Sequence, residues 1–215
     1  MNKHIIAGLL LGATVLSLLQ GCVPVVVAGA TAGALATFDR RSLGTQTEDE
    51  TIEWKSSARL GEKFGDKAHL NFTSFNRKVL LTGEVPTAED KAEAERIVTE
   101  VPNVQGVYNE ITVGPISSFS DRSNDSFITS KVKSRSVDSG KYNPVHVKVV
   151  TEAGVVFLLG MVTQPEANSA INVARTTAGV KKVVNLLEII TPAKARELDF
   201  SQSNGKQPPA EVKNP

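Results

Sequence analysis

Cysteine, histidine and aromatic residues are scarce in this sequence of 215 residues. It contains one cysteine and three histidines, and aromatic residues make up 5% of it. A single cysteine cannot form an internal disulfide or a cysteine-rich metal site. Charge of one sign is also lacking, because 24 lysines and arginines nearly balance 23 aspartates and glutamates, for a net charge of +1. This balance excludes the clear basic excess that is typical of nucleic-acid-binding proteins.

Motifs that carry catalysis are absent as well. The sequence contains no GxxxxGK[ST], GxGxxG or HExxH pattern. His69 and His146 lie 77 residues apart, and neither stands near a serine, cysteine or aspartate in a recognisable nucleophile motif. We therefore predict that the protein is not an enzyme, binds no small-molecule substrate or nucleic acid, and uses neither a metal nor a dissociable cofactor.

The first residues have the pattern of a bacterial export signal. Lys3 precedes an apolar stretch, residues 5–19, which is too short to span a hydrocarbon core of about 30 Å. The stretch leads into Leu-Gln-Gly-Cys at residues 19–22, which resembles the lipobox of bacterial lipoproteins. The resemblance implies removal of residues 1–21 and a covalent diacylglyceryl and N-acyl lipid, palmitate included, on Cys22. A signal peptide or short anchor with an incidental cysteine is the alternative.

An internal repeat follows the signal. Gly83 aligns with Gly160 at a spacing of 77 residues, and Asn109 aligns with Asn185 at a spacing of 76. Each copy has the hydrophobic patterns of a helix, two strands, a second helix and a last strand. This order, αββαβ, predicts an α+β fold in which a three-stranded sheet packs one face against two helices.

The chain therefore divides into five predicted segments. Two tandem domains, which we call copy 1 and copy 2, lie between a flexible tether and a polar tail that is predicted to be disordered. The signal peptide, lipidated tether, copy 1, copy 2 and tail occupy residues 1–21, 22–42, 43–115, 121–191 and 192–215.

The repeat resembles the BON domain through the glycine of its middle strand, the Pro/Thr-x-x-Glu start of its second helix and the Gly-Val start of its last strand. Two such copies behind a lipobox are similar to the dual BON-domain outer-membrane lipoproteins, and the resemblance covers nearly all of residues 1–191. It implies a lipid-anchored protein in the outer membrane that faces the periplasm. It also implies that the second copy binds anionic phospholipid and supports the integrity of the envelope.

The two copies carry opposite net charge. Copy 1 has eight basic and thirteen acidic residues, a net charge of −5, whereas copy 2 has nine basic and six acidic residues, a net charge of +3. Copy 2 is therefore the part suited to an anionic surface.

The first helix of copy 2 is the candidate membrane contact. We predict this helix over residues 125–137, with Asp125 and Ser126 as its N-cap. Apolar and basic residues together are typical of a helix that meets anionic lipid headgroups. The predicted phospholipid-binding residues are Phe127, Ile128, Lys131, Val132, Lys133 and Arg135, with Lys181 and Lys182 adding charge from a nearby turn.

Two alternatives remain at this stage. In the first, Ile128 and Val132 face the core and the lysines form a solvated face. In the second, the protein is an envelope scaffold whose copy 2 binds an acidic protein partner, such as an assembly or cell-wall remodelling factor, rather than lipid.

Overall fold

A computed structural model describes residues 39–203. The predicted signal peptide, Cys22 and most of the tether lie outside the described residues, as do residues 204–215 of the tail. Within the described part, no helix is both long and apolar enough to cross a bilayer. Residues 39–203 fall within one compact unit.

Copy 1 has the predicted order of elements. Its last strand is interrupted where the backbone N–H of Ile111 donates to the side-chain oxygen of Asn109. β1 pairs antiparallel with β2, and both pieces of the last strand pair parallel with β2. The elements are α1 (Leu43–Phe64), β1 (His69–Phe75), β2 (Lys78–Val85), α2 (Ala88–Thr99), β3 (Gly106–Asn109) and β4 (Thr112–Val113).

Copy 2 repeats this topology, which confirms the α+β prediction. Its sheet has the order β5-β6-β7, with β5 antiparallel and β7 parallel to β6. The elements are α3 (Phe119–Ser139), β5 (Val147–Glu152), β6 (Val155–Val162), α4 (Gln164–Arg175) and β7 (Lys182–Ile189).

The structure differs from the prediction at both ends of the pair of domains, in the tether and in the tail. A further helix, α5 (Pro192–Ser203), occupies residues for which a disordered tail is predicted. Ala195 of this helix is buried, so the segment packs on the fold rather than extending into solvent. At the other end, Arg40 is buried although it belongs to the predicted flexible tether.

The first helix of copy 2 begins earlier than predicted. α3 starts at Phe119 because the Ser118 hydroxyl accepts a hydrogen bond from the backbone N–H of Asp121, whose carboxylate in turn accepts one from Ser118. Ser42 caps α1 in the same way through the N–H of Thr45. The prediction that Asp125 is an N-cap is therefore wrong.

Asp125 instead fastens the hairpin of copy 2. Its carboxylate is buried and accepts 2.8 Å hydrogen bonds from the backbone N–H groups of Ala153 and Gly154. Both turn residues have positive φ, the conformation of the tight turn that suits two twisted antiparallel strands. Asp49 makes the same contacts in copy 1, to Asn76 and Arg77.

The glycine shared by β2 and β6 permits a close approach between neighbouring strands. A Cβ added at Gly83 would lie 2.0 Å from the carbonyl oxygen of His69, and one at Gly160 would lie 2.2 Å from that of His146. Real Cβ atoms do not approach an oxygen so closely, which explains why both copies carry glycine there.

The two sheets pack face to face, an arrangement that the sequence analysis did not predict. Side chains on one face of each sheet pack under the helices of their own copy. On the opposite face, Phe75 and Leu80 of copy 1 pack with Phe157 and Leu159 of copy 2 in one shared core. Both faces of β2 and β6 are therefore buried, which accounts for their nearly continuous apolar sequences.

Polar pairs surround this shared core. Lys148 lies 3.2 Å from Glu53, and Lys78 lies 3.0 Å from Glu188, so each pair joins the two copies. Both pairs are partly exposed, and such pairs contribute roughly 0–1 kcal/mol each to stability. The apolar core rather than the charges therefore holds the copies together.

Candidate membrane-binding surface

Helix α3 has a buried face and an exposed face, and the predicted site residues divide between them. Ile128 and Val132, four residues apart, are each 1% exposed and belong to the core of copy 2. Their prediction as lipid-binding residues is wrong, because side chains that pack beneath the helix cannot reach a membrane while the domain is folded. The first alternative of the sequence analysis is confirmed for these two residues.

The exposed face of α3 presents three large apolar side chains. Phe127 is 62% exposed, Phe119 79% and Val137 66%. Because helical positions advance by about 100° per residue, these side chains fall within an arc of about 80°. Small polar residues fill the spaces between them, namely Ser123, Ser130 and Ser134.

Phe119 and Val137 were missed by the sequence analysis. The helix predicted from the sequence begins at residue 125, so the prediction does not place Phe119 on the same face as Phe127. The capping-box pair Ser118 and Asp121 is the signal that could have located the start of the helix. Val137 lies within the predicted range, but its exposure depends on which face packs against the sheet.

Lys131 lies beside Phe127. Its ammonium group is 4.6 Å from the centroid of the Phe127 ring and donates a 2.6 Å hydrogen bond to the carbonyl oxygen of Ala178. The cation–π contact and the hydrogen bond fix the positive charge at the edge of the apolar arc.

Arg135 is held by the C-terminal end of α4. Its guanidinium donates to the hydroxyl of Thr177 at 2.8 Å and to that of Thr176 at 3.1 Å. Lys131 and Arg135 border a groove of about 350 Å³ between α3 and the residues that follow α4. Lys133 is exposed on the other side of the apolar arc, so cations flank the arc on both sides. We call Phe119, Phe127, Lys131, Lys133, Arg135 and Val137 the α3 surface.

Lys181 and Lys182 lie beyond the end of α4, where β7 begins. Lys181 donates a 3.1 Å hydrogen bond to the carbonyl oxygen of Ala153, and Lys182 is exposed at the first position of β7. Both lysines belong to copy 2, but no hydrogen bond links either of them to α3 in the part of the chain that the structure describes.

The acidic residues of copy 2 are mostly occupied by internal partners. Asp125 binds the hairpin turn, Glu152 accepts a hydrogen bond from Asn71, and Glu188 pairs with Lys78. Asp121 bonds Ser118, and those hydrogen bonds lower the pKa of its carboxyl group. By contrast, among residues 39–203, no carboxylate lies within ion-pair distance of Lys131, Lys133 or Arg135. The structure thus leaves the positive charge of copy 2 available on the α3 surface.

One carboxylate interrupts this pattern. Asp138 follows Val137 at the C-terminal end of α3 and is exposed. The concentration of positive charge is therefore centred on residues 127–135 rather than on the whole helix.

The two histidines within residues 39–203 have different surroundings. His69 contacts Asn71, and His146 is buried 3.7 Å from Asp199. In the described residues, no three His, Cys, Asp or Glu side chains are grouped as metal ligands.

Comparison with known proteins gives a consistent family. The profile of the BON domain matches residues 48–115 and again residues 124–191. The chain is 42% identical over 184 residues to the outer membrane lipoprotein DolP of Haemophilus influenzae, which covers 85% of this chain and 94% of that protein.

Two further relatives are more distant. A 21 kDa hemolysin of Actinobacillus pleuropneumoniae is 34% identical, over 71% of this chain and 79% of its own length. The osmotically inducible protein Y of Escherichia coli is 27% identical, over 73% of this chain and 80% of its own.

Proposed function

The chain belongs to the BON-domain family as a dual-BON protein like DolP, and on this premise we propose that it is an outer-membrane lipoprotein whose copy 2 binds anionic phospholipid. In this proposal the lipid on Cys22 anchors the chain, the domains face the periplasm, and the contact supports envelope integrity. The α3 surface is the observation that carries the proposal, because its exposed aromatic rings are flanked by cations for which residues 39–203 supply no carboxylate within ion-pair distance.

The aromatic rings supply the apolar part of the binding energy. Phe127 and Phe119 are exposed in the free protein, and burying such a side chain contributes about 1.5–3 kcal/mol. A helix that lies in the membrane interface inserts rings of this kind to a depth of roughly 5–10 Å. The serines between the rings are small, so they allow the helix axis to approach the headgroups.

The cations supply the dependence on lipid charge. Each lysine or arginine close to an anionic surface contributes about 1 kcal/mol, and this attraction falls off within a Debye length. Lys131, Lys133 and Arg135 lie four, six and eight residues after Phe127, about one to two helical turns along α3. Binding should therefore need anionic lipid and weaken as salt is added.

The anchor and the α3 surface act together in this proposal. A weak contact becomes significant when the chain is already held at the membrane, since linkage raises the effective concentration of the second binding partner. Copy 1 has a net charge of −5 and does not favour the same surface. The charge asymmetry thus orients copy 2 toward the lipid.

Vesicle sedimentation of the chain without residues 1–22 tests the proposal, because without Cys22 and its lipid the binding measured is that of the polypeptide itself. We expect binding to vesicles of phosphatidylglycerol, little binding to those of phosphatidylcholine, and a loss of affinity for the former between 50 and about 200 mM salt. Phe127→Glu should abolish binding. Trp54→Glu is the matched control, since Trp54 is 71% exposed on α1 of copy 1, and it should leave binding unchanged.

Equal binding to both kinds of vesicle would overturn the proposal. Binding to neither kind, together with capture of an acidic envelope protein that Phe127→Glu abolishes, would instead support the scaffold alternative.

A further inference from the structure

Arg40 forms an unusually complete set of hydrogen bonds at the junction of three chain segments. Its side chain is 4% exposed, and all five N–H donors of a guanidinium group are in use. Two of them bind Glu166 at 2.9 and 3.1 Å, and two bind Asp199 at 2.8 and 3.1 Å. A fifth bond, of 2.9 Å, reaches the carbonyl oxygen of Met161.

These partners belong to different parts of the fold. Met161 lies in β6 and Glu166 in the first turn of α4, so both belong to copy 2. Asp199 lies in the C-terminal helix α5, whereas Arg40 precedes the first helix of copy 1. One side chain therefore joins the N-terminal segment, copy 2 and the C-terminal helix.

Helix α5 also contacts the fold through Asp199, which lies 3.7 Å from His146 of copy 2, and through Ala195. Ala195 is the one apolar side chain that is buried among the described residues of this helix. Lys194 pairs with Glu197 inside the same helix, and that pair does not fix the helix to the rest of the fold. The Arg40 side chain is 4% exposed and that of Asp199 is 43% exposed, so removing Asp199 takes one of two carboxylates from a buried charge, which is more unfavourable than losing an exposed pair.

Arg41, the next residue along the chain, contacts copy 1. It bonds Asp39 and the buried Asp49 of α1, and its guanidinium carbon lies 4.1 Å from the centroid of the Phe75 ring. Phe75 belongs to the core shared by the two sheets. Neighbouring arginines thus fasten residues 39–41 to both copies at once.

We propose that Arg40 couples the two ends of residues 39–203, so that helix α5 docks on copy 2 only while residues 39–41 are bound in place. We call Arg40 the clasp and α5 the strap. Coupling of this kind is reciprocal. Arg40 supplies the guanidinium and α5 supplies the carboxylate of Asp199, so the loss of either segment weakens the binding of the other. Displacing the N-terminal segment, for example by a pull on the chain before residue 39, releases the strap. Removing the strap in turn loosens the N-terminal segment.

Hydrogen exchange of the full chain in detergent measures this coupling directly. Arg40→Gln should raise the exchange rate of the α5 backbone amides at least tenfold and leave those of β5, β6 and β7 unchanged. Arg175→Gln is the matched control, because it removes the same charge from an exposed position at the end of α4, and it should change neither set.

Two further variants keep the inference falsifiable if Arg40→Gln unfolds copy 2. Asp199→Asn leaves the bonds between Arg40 and Glu166 in place and should still accelerate exchange in α5. A chain that ends at Thr191 should show faster exchange in residues 39–42. The inference is overturned if α5 exchanges at the same rate in the wild type, Arg40→Gln and Asp199→Asn, or if removal of α5 leaves residues 39–42 unaffected.

Discussion

The carboxylate of Asp125 and the backbone N–H of Gly154 are joined by a 2.8 Å hydrogen bond that fastens the first helix of copy 2 to its hairpin. The neighbouring N–H of Ala153 donates to the other carboxylate oxygen. A single buried side chain therefore satisfies both N–H groups of a tight turn.

Asp125→Asn should destabilise the protein, because the amide oxygen can accept one of these hydrogen bonds but the amide nitrogen, which is a donor, cannot accept the other. Hydrogen bonds to a charged group contribute about 1.5–3 kcal/mol, so we expect the free energy of unfolding to fall by about 2–3 kcal/mol. Urea denaturation measures the change. Asp138→Asn, in the same helix but exposed, should alter stability by less than about 0.5 kcal/mol. Equal effects of the two substitutions would show that the turn contact is not important.

Gly160→Ala should also be strongly destabilising. The added Cβ would lie 2.2 Å from the carbonyl oxygen of His146, and a backbone atom cannot move aside as a flexible side chain can. We expect a loss of about 3 kcal/mol, at the upper end of overpacking effects. Gly61→Ala provides the contrast, since no atom lies within 4 Å of the new Cβ inside α1, and it should stabilise by about 0.5–1 kcal/mol. Thermal unfolding compares them, and a neutral Gly160→Ala would refute the close approach.

The shared core between the sheets predicts that the two copies unfold together. Phe157 is 3% exposed and packs with Phe75 and Leu80 of copy 1. Phe157→Ala should lower stability by about 3–5 kcal/mol and separate one calorimetric transition into two. Lys148→Ala removes only a partly exposed pair and should keep a single transition. Two transitions in the wild type would contradict a shared core.

The pH dependence of stability should contain a contribution from Glu166. Burial alone would raise the pKa of this carboxyl group, but hydrogen bonds from Arg40 and Thr163 outweigh it and lower the pKa from 4.5 to about 2. Asp199 and His146 are the other titratable groups at this junction.

Because the carboxylate form is favoured in the folded state, the unfolded state binds more protons between pH 4.5 and about 2. The stability from Glu166 is therefore complete above pH 4.5 and is lost as the pH falls toward 2. Glu166→Gln should be less stable than the wild type at pH 7, and the difference should shrink below pH 4.5. Parallel stability curves for the two proteins would exclude this contribution.

The sequence contained enough information for the topology but not for every contact. Alternation and turn residues are local, so they located the order αββαβ and the paired glycines Gly83 and Gly160. The role of Asp125 was not local, because its partners lie across the domain at residues 153–154. Two polar residues, Asp125 and Ser126, directly before the apolar Phe127 therefore resemble a helix cap.

The candidate membrane-binding surface could likewise be predicted only in part from the sequence. Exposure of Phe127 and burial of Ile128 both depend on which face of α3 meets the sheet, and the residue types alone do not determine that face. The packing of the two sheets had a visible signal in the continuous apolar β6. The clasp at Arg40 had none, since its partners Glu166 and Asp199 are more than a hundred residues away.

The most direct test of the central claim is an NMR titration of the chain without residues 1–22, with micelles that contain phosphatidylglycerol. The account predicts that backbone shifts concentrate in α3 around Phe127 and Lys131 and in the adjoining residues 176–182, and that Phe127→Glu abolishes them. Shifts centred on Trp54 of α1, or no shifts in α3 at saturating lipid, would contradict it.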